Sequence, residues 1–221
     1  PLADMLGDFP GVHAARQQLH VPAAARVIAL LPGSRVSELE QMAELFVATA
    51  IEIAAAVPGV LFLAPLVSRE TRELLEAALY RRGGASLNVT ILFGHAHDAM
   101  AAADVVLVAS GTATLEAALL KRPMVITYKM PRMSWWIMQH QRYQPYVGLP
   151  NILAGEFVVP EFLQDEATPD NLAQAVLNLL SDEAVRGRLE TRFSSMLGEL
   201  RQNTAQKLAA ALLPMLGFGL E

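Results

Sequence analysis

The sequence predicts an α/β fold built on a doubly wound parallel sheet and closed by C-terminal helices. Two observations carry that expectation. Short continuous apolar runs, Arg26–Leu31, Val60–Leu66 and Val105–Val108 among them, have the length and composition of strands buried on both faces. Between them lie segments of helical length joined by short loops, the alternation that generates parallel strands with crossover helices.

Each element has its own warrant. Residues 1–25 hold Gly7, Pro10, Gly11 and Pro22, which predicts an irregular lead-in with one short helix around His13–Leu19. Arg26–Leu31 is the first strand, and Pro32-Gly33-Ser34-Arg35 ends it. Ser37-Glu38-Leu39-Glu40 has capping-box spacing, with Ser37 at N-cap and Glu40 at N3, and predicts a helix running to about Val57. Pro58-Gly59 stops that helix before the strand Val60–Leu66. Arg69–Arg82 is a helix ended by Gly83-Gly84, and Asn88–Phe93 is a strand. A short helix around His97–Ala102 then leads into strand Val105–Val108 and helix Thr112–Lys121. Pro123 precedes strand Met124–Tyr128, and a basic aromatic helix is expected near Met133–Tyr143. Helices over Pro169–Ser181, Asp182–Leu200 and Thr204–Leu216 close the chain.

Composition excludes several function classes. The chain is 221 residues with 53% hydrophobic residues, enough to bury a full core. Its longest apolar tract, Ala54–Val67, is broken by Pro58, Gly59 and Pro65 and is too short to span a bilayer. The chain opens on Pro-Leu-Ala-Asp, with neither a basic leader nor an initiator Met, which predicts a piece of a longer protein. Cysteine is absent, which excludes disulfides and thiolate catalysis and fits a cytoplasmic setting. A net charge of −5 argues against a general nucleic-acid binder. That charge is unevenly spread: no acidic residue lies between Glu116 and Glu156, an interval holding Lys121, Arg122, Lys129, Arg132, Arg142 and both tryptophans. Cations mixed with amphipathic aromatics suit an anionic, lipid-like ligand or a membrane interface; the plainer alternative is a basic surface helix with a few core aromatics.

Ligands of doubly wound sheets collect at the carboxyl ends of the strands, and three loops there carry suggestive chemistry: Pro32–Arg35, Phe93–His97 and Ala109–Thr112. At Ser110-Gly111-Thr112 a buried strand passes through a tight turn into a helix. That junction aims unpaired N–H groups and the positive end of a helix dipole at one spot, which suits a phosphate. Glu116 lies four residues beyond Thr112 on the same helix face, where its carboxylate can accept hydrogen bonds from a ribose diol. Gly33, Ser34 and Arg35 offer a flexible backbone, a hydroxyl and a phosphate-binding guanidinium. Gly94 belongs to the third loop, and Lys129 and Arg142 are further candidates for phosphate charge. Alternatively these segments are only helix caps with a solvated Arg35 and a first-turn acid at 116. His95, His97 and Asp98 lack a third ligand at usual spacing, and no Asp-x-Asp pair exists, so neither a metal site nor a cofactor is expected. Asn151, after Pro150, is either a turn former or a ligand residue.

Four blocks in order, Leu30-Leu-Pro-Gly-Ser-Arg35, Ala109-Ser-Gly-Thr-Ala-Thr-Leu-Glu116, Pro123-Met-Val-Ile-Thr-Tyr-Lys-Met130 and Val147-Gly-Leu-Pro-Asn-Ile-Leu-Ala154, resemble the carboxyl-terminal half of lipid-A-disaccharide synthases. The resemblance spans essentially the whole chain, although the last turn, Leu216–Glu221, matches no pattern of the family. It implies the second Rossmann-like half of a GT-B glycosyltransferase. Residues 1–25 would lead in from the inter-domain region, 26–168 would bind the UDP-sugar, and 169–221 would pack on that domain or back toward a missing N-terminal domain. The implied reaction transfers 2,3-diacylglucosamine from UDP-2,3-diacylglucosamine to 2,3-diacylglucosamine 1-phosphate, at the cytoplasmic face of a Gram-negative inner membrane. It further implies that Arg35 and Ser110–Thr112 hold the diphosphate, that Glu116 holds the ribose, and that Asn151 matches an active-site asparagine. The general base is implied to lie in the missing half. Two other readings stay open: a non-catalytic UDP-sugar-binding module, and a UDP-sugar 2-epimerase of the same fold.

Overall fold

The computed structural model describes residues 2–5, 11–131, 135 and 144–212. Val27–Leu31 (β1) and Val105–Ala109 (β4) are buried at every position, as strands covered on both faces must be. Leu61–Leu66 (β2) is buried throughout, and Met124–Tyr128 (β5) at all but its last residue. Val89–Phe93 (β3) and Glu161–Leu163 (β6) are only partly buried and form the two edges. All pairings are parallel, in the order β3-β2-β1-β4-β5-β6. Pro65, which has no N–H, lies past the last β1–β2 pairing at Ala29↔Leu63, so its missing donor does not interrupt that ladder.

The order reverses between β1 and β4. Crossovers are right-handed, so α3 (Val36–Ala56) and α4 (Arg69–Arg82) cover one face while α5 (Ala96–Ala102) and α6 (Thr112–Leu119) cover the other. On α3, Leu39, Met42, Phe46, Ala50 and Ile53 recur at helical spacing and are buried. α4 starts at Ser68, whose hydroxyl accepts from the Thr71 N–H at 3.3 Å, and ends at Gly83 in the left-handed region (φ 71°). α8 (Pro169–Ser181) packs on α3, and α9 (Glu183–Leu200) touches both α6 and α8.

Polar contacts anchor the first two helices of the chain. Arg16 on α2 (Val12–Gln18) is 7% exposed; it donates to Ala102 O at 2.9 Å and pairs with Asp104 at 3.1 Å, and Asp104 also accepts from the Val27 N–H at 2.8 Å. Asp4 on α1 (Leu2–Met5) accepts the Gln202, Asn203 and Thr204 N–H groups that begin α10 (Thr204–Leu212). Those bonds, Thr204's first, hold the Asp4 carboxyl down at about 2.

Besides the single turn of α1, the sequence reading missed two elements, α7 (Leu149–Ala154) and β6. Pro150 falls in the first turn of α7, where proline is tolerated because its N–H would be unpaired anyway. The two elements are locked by Asn151, which is fully buried. Its amide donates to Val159 O at 2.8 Å and to Glu161 Oε1 at 2.7 Å, and its Oδ1 accepts the Val158 and Val159 N–H groups at 2.8 and 2.9 Å. Glu161 also accepts from Val147 and Gly148 at 2.9 and 2.8 Å, ahead of α7. The helix expected near Met133–Tyr143 lies outside the described residues apart from Trp135, and so does the stretch 213–216 of the last helix. Among the described residues no helix is long and apolar enough to cross a membrane.

Every hydrogen-bonding position of Asn151 is filled, so Asn151→Ala leaves buried groups unpaired and should cost about 2–4 kcal/mol in urea unfolding. Asn151→Asp sets a carboxylate against Glu161; its stability deficit should shrink as pH falls and the new carboxyl protonates. A deficit independent of pH contradicts that account.

Candidate functional site

β1 and β4 are neighbours that end level, with Leu31 opposite Val108, and their next helices leave toward opposite faces. Two loops therefore diverge at one point, Pro32–Arg35 toward α3 and Ser110-Gly111 toward α6. The crevice between diverging loops at such a reversal is where open α/β sheets take their ligands.

In the first loop Gly33 sits at φ 135°, a conformation open to glycine. The Ser34 and Arg35 N–H groups both donate to Glu38 Oε2, at 2.8 and 3.2 Å, while the Arg35 guanidinium reaches Oε1 at 3.2 Å. The expected capping box is thereby corrected. α3 begins at Val36 with Arg35 at N-cap, Glu38 takes the N3 role assigned to Glu40, and Ser37 lies inside the helix. The physical reason is that one Glu38 carboxylate collects two backbone N–H groups and a guanidinium, whereas a start at Ser37 would collect fewer donors. The loop is thus a working anion cradle with a side chain already in it. Arg35 itself is 79% exposed at the crevice.

In the second loop Ser110 closes on β5 through its N–H to Thr127 O at 2.9 Å. Its hydroxyl donates to Val147 O at 3.3 Å, joining the loop to the segment that Glu161 and Asn151 hold. Gly111 and Thr112 are exposed, and no side-chain hydrogen bond caps α6 at Gly111. The Thr114 N–H closes back on Gly111 O at 3.2 Å, which leaves the Thr112 and Ala113 N–H groups at the positive end of the helix dipole. Thr114 is buried and turns its hydroxyl back to Gly111 O at 2.7 Å, stiffening the turn.

The third loop is set by two consecutive left-handed residues, Gly94 at φ 68° and His95 at φ 54°. His95 Nδ1 meets Asp98 at 2.9 Å, and Gln18 donates to the same Asp98 oxygen at 3.3 Å. His97 Nε2 lies 3.1 Å from Glu116 Oε2, so the third loop joins the second. Lys129 follows β5 at the same end of the sheet, next to β4. Asn151 is set back from the crevice with its capacity filled, and Glu161, Val147 and Ser110 link it to the crevice. Arg142 lies outside the described residues. Among the described residues no cluster of three or more His, Asp and Glu side chains could hold a metal ion. The sequence reading missed Glu38, Glu161 and the His97–Glu116 contact. Only the i, i+3 spacing of Arg35 and Glu38 was a signal that could have found any of them.

Comparisons with known proteins bear on the family and the fold. The family model described as lipid-A-disaccharide synthetase matches residues 1–213. The lipid-A-disaccharide synthase of Methylobacillus flagellatus is 54% identical over 213 residues, 96% of this chain and 56% of the relative. That of an Azoarcus species is 55% identical over 216 residues, 98% of this chain and 55% of the relative. The chain thus spans about half the length of the curated relatives it matches. Among solved structures, Anabaena HepE, crystallised with UDP and glucose, aligns with a TM-score of 0.58 at 20% identity, over 90% of this chain and 51% of that one. The UDP-GlcNAc 2-epimerase of Neisseria meningitidis, bound to UDP-GlcNAc, aligns at 0.55 and 14% identity, over 86% of this chain and 48% of that one. At such identities these two show the Rossmann-like fold alone. The family rests on the sequence matches: this chain belongs to the lipid-A-disaccharide synthetases.

Proposed function

We propose that this chain is the donor-nucleotide half of a GT-B glycosyltransferase. The reaction moves 2,3-diacylglucosamine from UDP-2,3-diacylglucosamine to 2,3-diacylglucosamine 1-phosphate, giving lipid A disaccharide 1-phosphate and UDP. The observation that carries this reading is the divergence of two loops at the β1–β4 reversal, one presenting the exposed Arg35 guanidinium and the other the start of α6. Displacement at the anomeric carbon leaves negative charge on UDP. In this reading the first turn of α6 and the Arg35 guanidinium meet that charge in the departing group. Glu116 accepts the ribose hydroxyls. Gly33, Ser34, Ser110, Gly111 and Thr112 line the diphosphate, with Gly94 and Lys129 at the margins. The base that activates the acceptor hydroxyl belongs to a facing domain outside this chain.

The acylated substrate accounts for a second feature. Ile152, Leu153 and Phe157 are exposed on α7 and just after it. Large apolar side chains on the surface next to an acid-free, basic stretch favour acyl chains and an anionic membrane face as neighbours. The epimerase reading shares the fold but leaves this surface unused.

UDP should bind the purified chain in calorimetry with chelator present, because the Arg35 guanidinium and the positive end of α6 replace a divalent cation in neutralising the diphosphate. A strict magnesium requirement contradicts the assignment. Arg35→Ala should weaken UDP binding by about 1–3 kcal/mol and leave uridine nearly unaffected; equal losses for the two ligands would remove its diphosphate role. Replacing Arg132 and Arg142 with Ser should reduce co-sedimentation with anionic liposomes at low salt, by roughly 1 kcal/mol per cation. Wild-type protein that ignores such liposomes refutes the membrane face.

A further inference from the structure

The nucleotide reading leaves one contact unused, that between His97 and Glu116. Glu116 stands in the second turn of α6 with its side chain only 20% exposed, yet a glutamate has three rotatable bonds and no fixed direction of its own. His97 supplies one. Its Nε2 lies 3.1 Å from Glu116 Oε2 across a sequence separation of 19 residues, from the first turn of a different helix in the same layer. A ring nitrogen facing a carboxylate at that distance must carry the proton and donate, whatever the charge of the ring.

The His97 side chain is 46% exposed, but the helix that carries it is firmly placed. Gly94 and His95, both left-handed, aim the start of α5, and His95, Asp98 and Gln18 are linked by bonds of 2.9 and 3.3 Å. Behind His97, Ala99, Met100, Ala101 and Ala102 are all buried, so α5 cannot roll. With Oε2 held by one N–H, the carboxylate keeps Oε1 and a second lone pair of Oε2, the two acceptors a vicinal diol needs.

We propose that His97 is a positioning residue for Glu116: it orients the carboxylate so that both ribose hydroxyls are received at once. The inference rests on the nucleotide reading above and adds a determinant of ribose recognition to it.

The test compares UDP with 2′,3′-dideoxy-UDP by calorimetry on the full chain. His97→Ala should weaken UDP by about three- to tenfold and leave the dideoxy ligand unchanged. His97→Gln, whose amide nitrogen can occupy the place of Nε2, should restore most of the loss. In the Glu116→Ala background, His97→Ala should cost nothing more, since the residue it positions is gone. Equal weakening of both ligands by His97→Ala would mean that the ring merely supports the fold and would overturn the inference, as would an additive double variant. Wild-type protein that does not distinguish the two ligands would overturn the ribose role of Glu116 first, and wild-type protein that binds no UDP would overturn the nucleotide reading.

Discussion

The parallel pairing of β1 with β4 is the constraint on which the rest depends. Both strands are buried on both faces, so neither can slip or exchange faces without exposing a full row of apolar side chains. Because β1 continues to one side of the sheet and β4 to the other, the helices after them must leave by opposite faces. A crevice at their carboxyl ends follows from connectivity alone. Residues 32–35 and 110–112 border it.

Those residues share one electrostatic character. The first loop gathers two N–H groups and a guanidinium on one carboxylate, and the second presents an uncapped helix start. Each is held in shape by hydrogen bonds. The Ser110 turn leans on Val147, Val147 on Glu161, and Glu161 on the buried amide of Asn151. A motif asparagine can thus matter to a site without touching its ligand. Its influence passes through satisfied, partly buried polar groups, where leaving one unpaired is costly.

Much of this was legible in the chain. Strands buried on both faces leave unbroken apolar runs, and Arg69–Arg82 could be bounded to the residue because Gly83 supplies the left-handed stop. Other features were hidden for physical reasons. β6 is three half-buried residues with no periodicity to detect, and α7 looked like a turn because Gly148, Pro150 and Gly155 punctuate it. The start of α3 was misplaced by two residues, since Ser37 with Glu40 and Arg35 with Glu38 share one spacing. Side-chain preference favoured the serine, while the carboxylate that gathered more donors won. The contact between His97 and Glu116 exists only once α5 and α6 are laid side by side, which no local pattern encodes.

Gly33 and Glu38 carry a consequence for how such a chain can change. A side chain at position 33 would put its first carbon 2.6 Å from Glu38 Cβ and 2.7 Å from Glu38 Oε2, besides meeting an unfavourable φ. The backbone freedom at one position and the carboxylate at the other are therefore a single inheritance. Loss of either removes the reason to keep its partner, and a lineage that altered the glycine would have to rebuild the helix start in the same step. The two positions are expected to drift together or not at all.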